Sequence, residues 1–171
     1  FPFYNIDYTY GCAPLTVTLT SSVPSGSIVS WNFGDTNLGV GDTITHTYTQ
    51  PGIYYLWQIV TNCGTDSIFK QITVYNTPIV GFTVGNPRCS NHPVEFFNAS
   101  PGLIGNVWDF GDGSPRDSSQ TNPTHLYPTP GTYTATLIGT GVATSPGVAC
   151  TDSSKVTFQI NDIPTADLQV S

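Results

Sequence analysis

"SWNFGDTN" at 30–37 and "VWDFGDGS" at 107–114 spell one pattern twice: a tryptophan, a spacer, a phenylalanine, a glycine and an aspartate. In extended backbone, successive side chains point to opposite faces. Trp31 and Phe33 therefore share a face, and so do Trp108 and Phe110. A large aromatic pair at this spacing fills the core of a sheet sandwich. Asp35 and Asp112 follow the glycine where the strand ends, and a short acidic side chain there caps a turn by accepting backbone N–H groups. The pattern reads as a strand and its turn, made twice.

The duplication extends outward in both directions. "PFYNIDYTYGCAPLTVTLTSS" (2–22) aligns with "PIVGFTVGNPRCSNHPVEFFNAS" (78–100). "HTYTQPGIYYLWQIVTNCGTDSIFKQITV" (46–74) aligns with "HLYPTPGTYTATLIGTGVATSPGVACTDSSKVTFQI" (125–160), where "GVATSPG" is an insertion. Repetition at this period marks an array of modules. The spacing predicts module one over 1–76, module two over 77–161, and at 162–171 the first strand of a third. The linker "YNTP" (75–78) is short and ends in proline, which predicts limited bending between modules. An N-terminal Phe1 suggests a processed or excised piece.

Thr, Ser, Gly, Pro, Tyr and Val dominate the 171 residues, and Met is absent. β-Branched and aromatic residues suit a pleated surface. No stretch carries helical apolar spacing. The class is all-β. Each module reads as about seven short strands separated by turn clusters, the signature of a sandwich. The expected strands lie near 3–8, 15–22, 28–34, 37–40, 44–49, 52–62 and 67–75, and near 79–84, 93–98, 104–110, 117–120, 124–127, 131–140 and 154–160.

The net charge is −7 with four scattered cations, Lys70, Arg88, Arg116 and Lys155. Such a chain lacks the basic patch that nucleic-acid binding needs, and an anionic membrane surface repels it. No apolar run reaches membrane-spanning length, so no insertion is expected. Cys12, Cys63, Cys89 and Cys150 form no C-x-x-C pair and have no histidine at zinc-ligand spacing. They read as disulfides of an oxidising, extracellular setting.

"WxFGD", then "HxYxxPGxYxxxL" and a last "DSxxxxIxV"-like strand, resembles the PKD domain, a family of Ig-like sandwiches. The resemblance covers both modules. In module one Asn32 and Thr36 replace the usual Asp and Gly, which weakens a ligand role for that loop. Cysteine-bearing modules of this kind resemble those in giant surface proteins of gliding and gut bacteria. The resemblance implies a secreted or cell-surface setting. It implies non-catalytic structural or adhesive repeats of an extended stalk or filament, contacting neighbouring modules, polysaccharide or cell-surface protein. The alternatives are polysaccharide-binding accessory domains of a secreted hydrolase or protease, or a self-assembling fibre subunit.

No G-x-S-x-G elbow occurs, and small sandwiches with short loops rarely form the cleft a paired-carboxylate glycosidase needs. No cofactor is expected. Calcium remains open at Asp109, Asp112 and Asp117, against a favoured turn-capping role. His46 and His125 occupy matching places and read as strand residues bonding a nearby turn, and His92 as a loop residue. Tyr54 and Tyr133 resemble tyrosine corners.

Matching places also predict disulfides Cys12–Cys63 and Cys89–Cys150, from the start of the second strand to the end of the sixth. "DTI" (42–44) and "DSI" (66–68) resemble short bacterial O-glycosylation signals, placing sugars on Thr43 and Ser67. "NAS" (98–100) matters only in a eukaryotic host. In "GIYYLWQIVTN" (52–62), alternation gives Tyr54, Leu56 and Val60 one face and Tyr55, Trp57 and Ile59 the other. Phe69 on the next strand has the parity to join the outward set. The matching outward row in module two is Thr132, Thr134 and Thr136. An outward aromatic patch marks a contact surface, unless a neighbouring module or the aromatic-rich start covers it.

Overall fold

The computed structural model describes residues 2–142 and 147–163. The tail expected to open a third module lies outside the described residues from 164 onward, as do 143–146 of the insertion. The chain divides into two compact units, Phe1–Thr77 and Pro78–Ser171.

In the first unit the strands are β1 (Tyr4–Ile6), β2 (Tyr10–Cys12), β3 (Leu15–Ser21), β4 (Ile28–Asn32), β5 (Leu38–Val40), β6 (Thr43–Tyr48), β7 (Gly52–Thr61) and β8 (Thr65–Tyr75). They form two sheets, ordered β1-β3-β6 and β2-β8-β7-β4-β5. Strict alternation drives them together. In "LTVTLTS" of β3, Leu15, Val17 and Leu19 are buried while the intervening threonines face water. Opposite them lie Val29 and Trp31 of β4, Leu56 of β7, and Ile72 and Val74 of β8. Tyr4 meets the Trp31 ring edge-on at 5.1 Å and donates its hydroxyl to the Leu56 carbonyl. Gln58 is the polar exception in this core; its amide donates to Ser21 Oγ at 2.8 Å.

The second unit repeats the plan with β9 (Phe82–Val84), β10 (Pro93–Asn98), β11 (Leu103–Asp109), β12 (Thr124–Leu126), β13 (Gly131–Gly141) and β14 (Thr151–Ile160). Its sheets are β12-β10-β9 and β11-β13-β14. Val94, Phe96, Trp108, Phe110, Leu137, Phe158 and Ile160 fill the space between.

Two strands depart from expectation. β2 was not foreseen; it runs parallel to β8, with Tyr10 beside Thr73 and Cys12 beside Tyr75. Conversely, 117–120 is no strand. Asp117 makes a single bridge to Trp108, then its carboxylate accepts Ser119 N and Oγ at 2.7 and 2.6 Å and bends the chain away. The loss is felt in the core. Trp31 Nε1 donates to Gly41 O at 2.9 Å, at the end of β5. The second unit offers no such strand, and buried Trp108 Nε1 has no partner among the described residues.

The expected disulfide pairing is also corrected. Cys63 sits in the turn joining β7 to β8, whereas Cys12 lies beside the far end of β8. Ten residue steps of ~3.3 Å separate those ends by roughly 33 Å, against the ~7 Å limit between Cα atoms of a disulfide. Likewise Cys89 lies beside Asn161, past one end of β14, and Cys150 precedes Thr151 at the other. Cys63 and Cys89 are free thiols, and Cys12 and Cys150 are disulfide-bonded. The cause is strand direction. Leu15 pairs with Tyr48, and a short turn from Tyr48 begins β7. The start of β3 therefore adjoins the start of β7, not its end.

Candidate functional site

The FGD turn is built alike in both units. Gly34 has a φ of +79°, and a Cβ there would lie 2.8 Å from the Tyr55 carbonyl oxygen. Gly111, at +77°, presses on the Thr134 backbone in the same way. Glycine is thus required twice over, by handedness and by contact. Asp35 Oδ1 accepts Asn37 N at 3.2 Å, and its Oδ2 lies 2.7 Å from His46 Nε2. The His46 ring stacks on Phe33 at 3.9 Å, and Tyr48 donates its hydroxyl to Phe33 O. Asp112, His125, Phe110 and Tyr127 rebuild this arrangement in the second unit. Burial pushes the Asp112 carboxyl up, but the Ser114 hydroxyl and amide and His125 outweigh it and hold it at about 2. Asp35 is lowered too, with burial opposed by His46 and Asn37. Burial raises the Tyr48 and Tyr127 phenols. These carboxylates are turn locks, fully engaged inside the fold.

Asp109, Asp112 and Asp117, where calcium was the lesser alternative, take the turn-capping role. Asp109 accepts Gly111 N and pairs with Arg116 at 3.1 Å. Asp112 is spent on Ser114 and His125, and Asp117 on Ser119. Each carboxylate serves its own turn, and no cluster of three or more potential ligands occurs among the described residues. Tyr54 and Tyr133 do form tyrosine corners, donating to Gln50 O at 2.8 Å and Thr129 O at 3.0 Å. His92 lies exposed in a bend.

The outward face of the five-stranded sheet is of a different kind. Register places Tyr55 opposite Gln71, Trp57 opposite Phe69, and Ile59 opposite Ser67. The Trp57 and Phe69 rings lie 4.7 Å apart, and Tyr55 meets Phe69 at 5.7 Å with planes at 74°. Tyr55 is 51% exposed, Trp57 36% and Phe69 47%. The described part of the aromatic-rich start does not bury them: Tyr4 is committed to the core, and Phe3, Tyr8 and Tyr10 are themselves more than half exposed. The four residues expected from parity thus stand together on one face.

That face is wider than parity on two strands revealed. Ile53 extends the β7 row, and Tyr10 on β2 lies beside Thr73. Ile28 on β4 and Leu38 and Val40 on β5 point the same way, and all three are largely exposed. Ser30, Leu38, Gly39, Val40 and Ile59 border a hollow of about 320 Å³. No charged side chain has outward parity on β4, β5, β7 or β8. The signal for the extra residues was alternation across "LGV" (38–40), too short to read without its neighbour. In the second unit the matching face of β13 and β14 carries exposed Thr132, Thr134, Thr151, Thr157 and Lys155, and half-buried Thr136, Ile138 and Thr140.

Thr43 and Ser67 are both exposed on strands, Ser67 beside Ile59 on the outward face. In the "NAS" stretch, Asn98 Oδ1 accepts Ser100 N.

The sequence matches the PKD domain over residues 8–74 and again over 85–160. The chain belongs to the PKD domain family. The two Ig-like β-sandwiches are thus tandem PKD domains. Human polycystin-1 is 34% identical over 102 residues, which cover 55% of this chain and 2% of that protein. The chain therefore spans a small part of its curated relative. The PKD1 domain of Vibrio anguillarum Epp is similar at 26% identity and a TM-score of 0.42, covering 51% of this chain and 96% of that one. The PKD1 domain of the Vibrio cholerae metalloprotease PrtV gives 24%, 0.41, 50% and 98%. PKD domains are non-catalytic modules, typically extracellular, known in adhesion and as accessories of proteases and hydrolases. They mediate protein or carbohydrate contacts.

Proposed function

We propose that this chain is a non-catalytic extracellular segment of a surface stalk or filament, in which the first PKD domain presents an adhesive face and the second acts as a spacer. One observation carries the reading. The outward sheet face of the first domain exposes Tyr55 and Trp57, each in ring contact with Phe69, whereas the second domain has Thr134, Thr136 and Lys155 in the matching places. Exposing that much apolar surface to water is unfavourable, so a face retained in this form serves contact. The asymmetry also argues against a purely structural origin, since the second sandwich folds on the same plan without it. Disulfide bonding at Cys12 and Cys150 fits an oxidising setting.

The test is Tyr55→Ala combined with Trp57→Ala. Both side chains are half-exposed, so the fold should survive, as an unchanged far-ultraviolet spectrum and melting temperature would show. Cell adhesion, retention by polysaccharide or association between chains should then fall. A folded double variant unchanged in all three would remove the contact role. The same extracellular reading carries O-linked sugars on Thr43 and Ser67; a native mass equal to the bare polypeptide would remove them.

A further inference from the structure

We infer that the occupant of this face is a second copy of the same chain, packed sheet to sheet across a two-fold axis. The inference rests on the contact reading above and names its partner. Sugar rings need a flat platform with polar groups at its rim. Here Phe69 stands at 39° to Trp57 and at 74° to Tyr55, and branched aliphatics such as Leu38 and Val40 flank them. Tilted rings and branched methyls interdigitate with another protein face better than they stack on a glycan.

Charge narrows the partner further. The chain carries −7 overall, so two copies repel each other except where a surface is neutral. The strands that build the face put no charge on it, so two copies meeting there bury no carboxylate. Shape supplies the third argument. A ridge, Trp57 and Phe69, stands beside the hollow bordered by Ile59, Leu38 and Val40. A two-fold contact is self-complementary, so each ridge can enter the other copy's hollow. The 32 residues of these five strands, at ~3.3 Å each and ~4.8 Å between strands, give about 500 Å² before the rings protrude. Protruding Tyr55, Trp57, Phe69, Leu38 and Val40 side chains add to that, toward the ~800 Å² per partner of a standard interface, as a weak, concentration-dependent dimer requires.

The experiment is sedimentation velocity of the 171-residue chain from about 1 µM to about 1 mM, alongside tryptophan emission. Trp31 and Trp108 are buried, so quenching by acrylamide reports chiefly on Trp57. The expected result is a concentration-dependent dimer, with blue-shifted emission and reduced quenching as it forms. Trp57→Glu and, separately, Leu38→Lys should each weaken association at least tenfold. Leu38 is 75% exposed, so its replacement leaves the fold intact. Thr136→Lys, on the second domain, should leave association unchanged. A chain monomeric throughout, or variants that dimerise as well as the parent, would overturn the second copy. Should the monomer still lose adhesion or polysaccharide retention on Tyr55→Ala and Trp57→Ala, the face is a contact surface for another partner. Should it lose neither, the contact reading falls with the inference.

Discussion

Thr36 occupies the left-handed region with φ of +77°, where the second domain has Gly113 at +84°. For a β-branched residue this conformation is strained, because its Cβ crowds the following carbonyl. Elsewhere in the two turns the chain obeys the rule: Gly34 and Gly111 supply positive φ where the backbone of β7 or β13 passes too close for any Cβ. Thr36→Gly should therefore stabilise the first domain, by about 1 kcal/mol. The gain is reduced by the entropy a glycine adds to the unfolded chain. Urea unfolding followed by fluorescence measures it, and a variant less stable than the parent would show that Thr36 gains more from its surroundings than its backbone loses.

At the scale of elements, the Asp–His bridge ties the turn after β4 to β6, and the turn after β11 to β12. In the second domain it joins Asp112 to His125 on β12 at 2.7 Å. The Asp112 carboxyl lies at about 2, below its ordinary 3.8. A depressed carboxylate contributes stability that is present above the unfolded value and lost as pH falls through the folded one. The second domain should therefore lose about 2 kcal/mol between roughly pH 4 and pH 2. Asp112→Asn should remove that acid-sensitive part, and a denaturant series across this range checks both. The long strands were legible because alternation is strict in "LTVTLTS" and in "TYTATL", and one face must be dry. β2 was not, since three residues carry no period and its parallel pairing depends on where β8 happens to pass. The expected strand at 117–120 failed to a local competitor, the Asp117 carboxylate that bonds its own chain two residues on. The outward face was half legible: parity located Tyr55, Trp57, Ile59 and Phe69, but only the sheet order β7-β4-β5 brings Ile28, Leu38 and Val40 beside them.

For the whole molecule, repeat alignment correctly equated Cys12 with Cys89 and misjudged what each could reach. Equivalent places in two sandwiches are equivalent in topology, but a bridge requires proximity, and proximity follows strand direction. β8 and β14 each run the full length of their sheet, so a cysteine at one end cannot meet a cysteine at the other without breaking the ladder. Cys63 lies exposed in the turn joining β7 to β8, and Cys89 is half-buried beside Asn161. Reaction with a thiol requires the thiolate and access to it, so the more exposed sulfur should react first. The native, unreduced chain should take up maleimide at Cys63 quickly and at Cys89 more slowly, with Cys12 and Cys150 labelled only after reduction. Chymotryptic mapping of the labelled protein, which cuts between Cys12 and Cys63 where trypsin does not, reads the order directly. Peptides linking Cys12 to Cys63 or Cys89 to Cys150 would mean that the β8 or β14 register is wrong. The position of Phe69 opposite Trp57 would then fall with it, since the same ladder sets both.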